Sequence, residues 1–112
     1  MIERGQEIEK REKAVADLLE HGLLHSESNI AFGEGGAGTF SDGKLTTGVK
    51  NKRIRYILET FVKFGAPEDI LYLHKPHIGT DYLRQVVQNM RKFLVSKGVT
   101  FLFETKMIDF QK

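Results

Sequence analysis

The run Gly33-Glu34-Gly35-Gly36-Ala37-Gly38-Thr39-Phe40-Ser41-Asp42-Gly43-Lys44-Leu45 concentrates the residue types that contact anions. Clustered glycines let backbone N–H groups approach a ligand closely, and Thr39, Ser41 and Lys44 add side-chain donors. Gly33, Gly35 and Gly38 match the dinucleotide spacing G-x-G-x-x-G. That fingerprint works only when a strand feeds the turn and a helix leaves it. Here a turn-forming run follows and starts no helix. Gly38, Gly43 and Lys44 also fit G-x-x-x-x-G-K, but Leu45 stands where the phosphate loop needs a hydroxyl, with Thr46 one residue late. Neither motif is complete. Anion contact through the backbone and a sharply turning loop without a ligand both stay open on these residues.

Other chemistry-bearing residues read more plainly. His21 and His25 have an i, i+4 spacing, but Gly22 ends the helix between them and no third ligand is near, so no metal site is expected. His77 precedes a helix, where capping or packing suits it better than catalysis. Lys52, Arg53 and Arg55 beside Tyr56 read as the outward face of a helix, and no nucleic-acid contact is expected. The absence of cysteine excludes a disulfide scaffold and a thiolate nucleophile. No apolar run reaches the roughly 18 residues of a membrane span, and no signal peptide begins the chain, so the expected location is the cytoplasm. Charge is uneven: residues 1–34 carry eight acids against four bases, and residues 35–112 carry seven against thirteen. A basic body suits an anionic ligand or simple solvation.

Positioning these residues falls to a few elements. Gln6 to His21 reads as a surface helix with Ile8, Val15, Leu18 and Leu19 on one stripe. Residues 23–50 lose helical period and form a long glycine-rich loop. Residues 52–73 read as a helical insertion, with Ile54, Ile57, Leu58, Phe61 and Val62 on one face and Pro67 opening a short second helix. From Thr80, an expected N-cap, a helix buries Leu83, Val86, Val87, Met90, Phe93 and Leu94. Val99 to Phe103 and Lys106 to Phe110 read as strands. A strand apolar on both faces belongs inside a sheet, and Met1-Ile2 resembles the end of another. The chain therefore reads as a fragment of a larger domain.

The segments Glu3-Arg4-Gly5 and Ser28-Asn29-Ile30-Ala31-Phe32 followed by the glycine run resemble bacterial FAD-dependent dehydrogenases, often labelled NAD- or FAD-utilising. Leu58-Glu59-Thr60-Phe61, Phe64-Gly65-Ala66-Pro67-Glu68 and Lys75-Pro76-His77-Ile78-Gly79-Thr80-Asp81 resemble the same family in the same order. The resemblance implies that Glu3 hydrogen-bonds the adenosine ribose and that Arg4 reaches the adenosine moiety or its phosphates. It implies that Gly35, Gly36, Ala37, Gly38 and Thr39 pass along the flavin end, with Ser41 and Lys44 beside them. It also implies an α/β fold, a fragment of a Rossmann-like FAD-binding domain lacking its first βα unit. FAD would be the cofactor of the complete protein, with NAD(P)H as a candidate reductant.

The expected function is thus part of the flavin site of a FAD-dependent oxidoreductase, inactive as this chain alone. No acid or base is nominated and the substrate is unreadable. The competing reading is a non-enzymatic helical and β module for binding or folding, without a cofactor. Two further expectations follow. With no flavin to pack on, residues 26–50 are the least protected part of the chain, and unpaired strand edges lead to a homo-oligomer.

Overall fold

The computed structural model describes residues 1–45, 47–73 and 76–111. Thr46 and Lys75, named in the motifs above, lie outside the described residues, as do His74 and Lys112. Helix α1 spans Ile8–His21, and Gly22 stops it in the left-handed region (φ 68°), donating its N–H back to Leu18. Its buried stripe is Ile8, Arg11, Ala14 and Val15, whereas Leu19 is exposed. The helix was expected; the charge inside its stripe was not.

Helix α2 spans Arg53–Lys63 and lays Leu58, Phe61 and Val62 half-buried against a 3-10 turn, Glu68–Leu71. Pro67 precedes that turn, and Glu68 and Asp69 favour its positive end. Helix α3 spans Thr80–Ser96. Thr80 is its first residue and not its cap, because Gly79 takes the cap position with φ 85°. Ala66, Ile70, Ile78 and Val86 form the apolar core, covered by Leu45, Leu58, Phe61, Phe64, Leu83 and Met90. Asn89 on α3 donates 2.8 Å to the Phe64 carbonyl at the end of α2, tying the two helices.

The α/β, Rossmann-like fold is corrected. Among the described residues the structure is mostly helical and has no sheet. Of the expected strands only one isolated parallel bridge remains, between Ile2 and Leu102; a second bridge, antiparallel, joins Lys44 and His77, where no strand was expected. The first is closed by Glu3 N–H to the Leu102 carbonyl and Leu102 N–H to the Met1 carbonyl, both 2.9 Å. The chain then turns at Glu104, with φ 52°, and residues 106–110 pair with nothing described. Val99 to Phe103 has β-favouring residues, but the one segment alongside it, Met1 to Glu3, shares a single bridge with it, too little to make a strand. Among the described residues, no helix is long and apolar enough to cross a membrane.

Candidate functional site

The glycine run is held by its own chain. Asn29 starts the arrangement: its Oδ1 accepts the N–H groups of Ala31 (2.9 Å) and Phe32 (3.2 Å), and its own N–H reaches the Phe32 carbonyl. Such local side-chain bonds are what make asparagine a turn former. Arg11 then enters from α1, with no exposed surface. Its guanidinium donates to the carbonyls of Asn29 (2.8 Å), Ile30 (2.8 Å), Glu34 (2.7 Å) and Gly36 (2.7 Å). It also lies 4.6 Å from the centre of the Phe40 ring, whose centre is 4.5 Å from Arg84. Burial pushes the Arg11 guanidinium below its ordinary value, while Glu3 and Glu34 oppose this. A loop expected to be loose without flavin thus has an internal partner.

Glu3-Arg4-Gly5 crosses this loop. Gly5 packs on Gly33 and on the Glu27 carbonyl so closely that no side chain fits there. Glu3 Oε1 accepts the Gly5 N–H at 2.7 Å, and Arg4 forms a two-point ion pair with Glu27. A cleft of about 360 Å³ results, lined by Glu3, Arg4, Ser26, Glu27, Phe32, Gly33 and Gly36. A second cavity, about 260 Å³, shares Arg4, Gly5, Ser26 and Glu27 and adds Gln6, His25, Ser28 and Glu104.

Of the residues singled out from the sequence, Glu3, Arg4 and Gly36 meet in the first cleft. Gly35 faces another cavity, beside Val87 and Arg91. Ala37, Gly38 and Thr39 form a 3-10 turn packed on α3, where Gly38 lies near Leu83. Thr39 is fully buried, and Arg84 donates to its carbonyl at 3.4 Å. Ser41 and Lys44 are exposed, and Lys44 pairs with Asp42 at 3.0 Å. The structure therefore does not gather the nine into one site.

Sequence reasoning missed Arg11, Asn29, Glu34 and Arg91. Glu34 is buried and bridges two helices: its Oε2 accepts the Ile8 N–H at 2.9 Å, and its Oε1 lies 2.9 Å from Arg91 Nε on α3. Arg91 also holds both oxygens of Glu9, at 2.8 and 2.7 Å. Burial pushes the Glu34 carboxyl above its ordinary value despite the Ile8 amide and Arg91. The folded chain therefore retains this proton at a pH where the unfolded chain has released it. Stability from Glu34 is full below the ordinary carboxylate value and is lost as pH rises through the raised one. Urea unfolding of the wild type and Glu34→Gln from pH 4 to 7 should show the wild type losing ground as pH rises. A constant difference across that range would contradict the shift.

No family model matches the chain. An uncharacterized protein of Clostridium beijerinckii is 46% identical over 107 residues, covering 96% of this chain and 20% of that protein. The chain spans about a fifth of the length of this curated relative. The relative's description supplies no activity. The oxidoreductase, dehydrogenase, flavoprotein, nucleotide-binding and Rossmann-like descriptions that came with the resemblance are accordingly corrected. The findings describe a mostly helical chain with an uncharacterized relative.

Proposed function

We propose that this chain is a non-enzymatic binding module of a longer cytoplasmic protein, one that folds without a cofactor and offers a polar cleft. The observation that carries this reading is the crossing of Glu3-Arg4-Gly5 over the loop that Arg11 holds. The cleft walls there supply one ion pair, a hydroxyl, a carboxylate and glycine backbone, a set suited to holding a polar ligand. Its match to a fifth of a longer relative favours a part over a whole.

A second reading rests on the same cleft. Glu3 and Arg4 stand beside Gly33 and Gly36, and Glu3 Oε1 is occupied by the Gly5 amide while its second carboxylate oxygen is available to a ribose hydroxyl. These residues suit the adenosine end of FAD, which the module would then hold as part of the longer protein. Titration of the purified chain with FAD and with inorganic pyrophosphate, followed by calorimetry, separates the two. Saturable pyrophosphate binding by a colourless chain supports the module. Flavin that survives dialysis in one-to-one amount establishes the second reading. No saturable binding of either would reject both and leave a folding unit.

Assembly follows from the Ile2–Leu102 bridge. Backbone groups of residue 102 face the Met1–Glu3 segment, so the alternate groups of Phe101 and Phe103 face away from it, and Met1, Ile2 and Leu102 are all exposed. Open apolar edges recruit strands, and a second copy is the partner available in a pure sample. We expect a dimer or larger species by light scattering, and Leu102→Lys should return it to monomer. A folded wild-type monomer at high micromolar concentration would refute this.

A further inference from the structure

We infer that the apolar groove beside α2 is an interface, and that its occupant is the leucine-bearing end of α1 from a second copy of this chain. The groove, about 660 Å³, lies between α2 and the Glu68–Leu71 turn, with Ile54, Ile57, Leu58, Ile70 and Leu71 along it. No residue of α1 lines it, so a chain in this conformation does not fill its own groove. Its rim is basic. Residues 43–58 hold five bases and no acid. Lys44 is paired with Asp42 and Arg55 with Glu59. That leaves Lys50 on the groove wall, with Lys52 and Arg53 at the start of α2, as the cations there without a carboxylate partner among the described residues. An occupant must therefore bring apolar side chains together with acids.

Two such segments are exposed on the chain itself, clear of the groove and of the Ile2–Leu102 edge. Met107, Ile108 and Phe110 form one, but Lys106 and Asp109 leave it without net charge. The other is Leu19, Leu23 and Leu24, which are 74%, 58% and 66% exposed at the C-terminal end of α1. Between positions 17 and 24 the chain has two acids and no lysine or arginine. Their partners are histidines and not fixed cations: Glu20 lies 3.9 Å from His21, and Asp17 lies 3.5 Å from His25. Charge complementarity thus selects this end of α1. It is also pre-shaped. The Gly22 N–H reaches the Leu18 carbonyl at 3.0 Å and the Leu23 N–H the Asp17 carbonyl at 3.3 Å, so seating it orders little new chain. Because groove and leucine end are different surfaces, the contact runs head to tail. It is separate from the Ile2–Leu102 bridge, neither residue of which lines the groove.

The test mixes two variants that each keep one half of the contact. Leu23→Lys spoils the leucine end and leaves the groove, and Ile57→Glu spoils the groove and leaves the leucine end. Both side chains are exposed, so both variants should fold. Labelled Leu23→Lys is titrated with unlabelled Ile57→Glu and followed by amide NMR. Amides of residues 49–58 should shift saturably, and those of residues 19–24 should not. The Leu23→Lys/Ile57→Glu double variant, added instead, keeps the strand edge and residues 107–110 but has no leucine end. Its affinity should be weaker by about tenfold or more. Raising salt from about 0.05 to 0.5 M should weaken the binding several-fold, since the charges sit on an exposed rim. Equal shifts from the double variant would assign the groove to residues 107–110 or to the edge and overturn the inference. Salt-independent binding would remove charge as the selecting force and overturn it too. Without saturable shifts, the groove belongs to another part of the longer protein or to a different partner, and the inference fails. For variants that do not fold, a nitroxide on Ser26→Cys decides, since the chain has no other cysteine. Mixed with labelled wild type it should broaden residues 49–58, and an unbroadened groove refutes the contact.

Discussion

Replacing Gly5 with alanine should cost about 3 kcal/mol or more, at the upper end of what overpacking does in well-packed proteins. The expected size comes from what the new methyl would meet. A Cβ at residue 5 would stand 2.5 Å from Gly33 Cα, 2.7 Å from the Glu27 carbonyl oxygen and 2.9 Å from Gly33 N. All three are backbone atoms, so no side chain can rotate to make room. The two segments would have to separate, and the adjoining contacts would go with them: the Glu3 carboxylate on the Gly5 amide and the Gly5 carbonyl on the Glu104 amide. Gly38→Ala is the internal control. It lies in the same glycine run, but its Cβ would meet only Leu83 Cδ2 at 3.8 Å, and its φ is not in the left-handed region. That substitution should be neutral or raise stability by about 0.4–1 kcal/mol through the unfolded chain. Urea denaturation of both variants checks the pair. Gly5→Ala within 1 kcal/mol of the wild type would mean that the crossing is not as close as the structure has it.

The contrast between those two glycines shows which parts of the site were legible. Spacing alone drew attention to Gly33, Gly35 and Gly38 as a set, yet packing demands differ at each. Gly33 and Gly35 have positive φ and neighbours that a Cβ would clash with, and Gly38 has neither. The helices were legible because their apolar periods are local, as the stop at Gly22 is, but their expected faces were not: α3 buries only Val86 outright, α2 buries none, and Ile57 and Phe93 are exposed. Arg11 was not, since it sits in the charged run Glu9-Lys10-Arg11-Glu12-Lys13 and composition marks such a run as solvated. Its burial depends on carbonyls 18 to 25 positions away, which no local pattern records. Its one local trace is position, three residues after Ile8 and four before Val15. The sheet failed for the opposite reason. Val99 to Phe103 has the right composition, but sheets are made by partners, and residues 1–5 alone pair with it among the described residues. Glu3, Arg4 and Gly36 meet because Gly5 brings two distant segments together, while Ser41 and Lys44 lie beyond the turn that α3 holds.

Ile70→Ala should remove about 2–5 kcal/mol, the range for deleting buried aliphatic carbons when a cavity is left. Ile70 has no exposed surface and stands in the 3-10 turn between α2 and α3, surrounded by Ala66, Ile78 and Val86. Leu58 and Phe61 approach from α2 and Leu83 from α3, so the side chain is a joint between elements that otherwise share few contacts. It also borders an apolar groove of about 660 Å³, lined by Ile54, Ile57, Leu58 and Leu71. That groove allows some collapse, which places the expected loss toward the middle of the range. Ile57→Ala, on a side chain that is 48% exposed on the same groove, should cost about 1 kcal/mol or less. In denaturant the midpoint of Ile70→Ala should fall with little change in slope, the sign of lost stability and not of an altered unfolded state. The consequence reaches the cleft through α3, which carries Arg84 against Phe40 and Arg91 against Glu34. Amide exchange of residues 29–40 should therefore quicken in step with that of α3. Quickening in α3 while the loop stays protected would show that Arg11 and α1 hold the loop without the core.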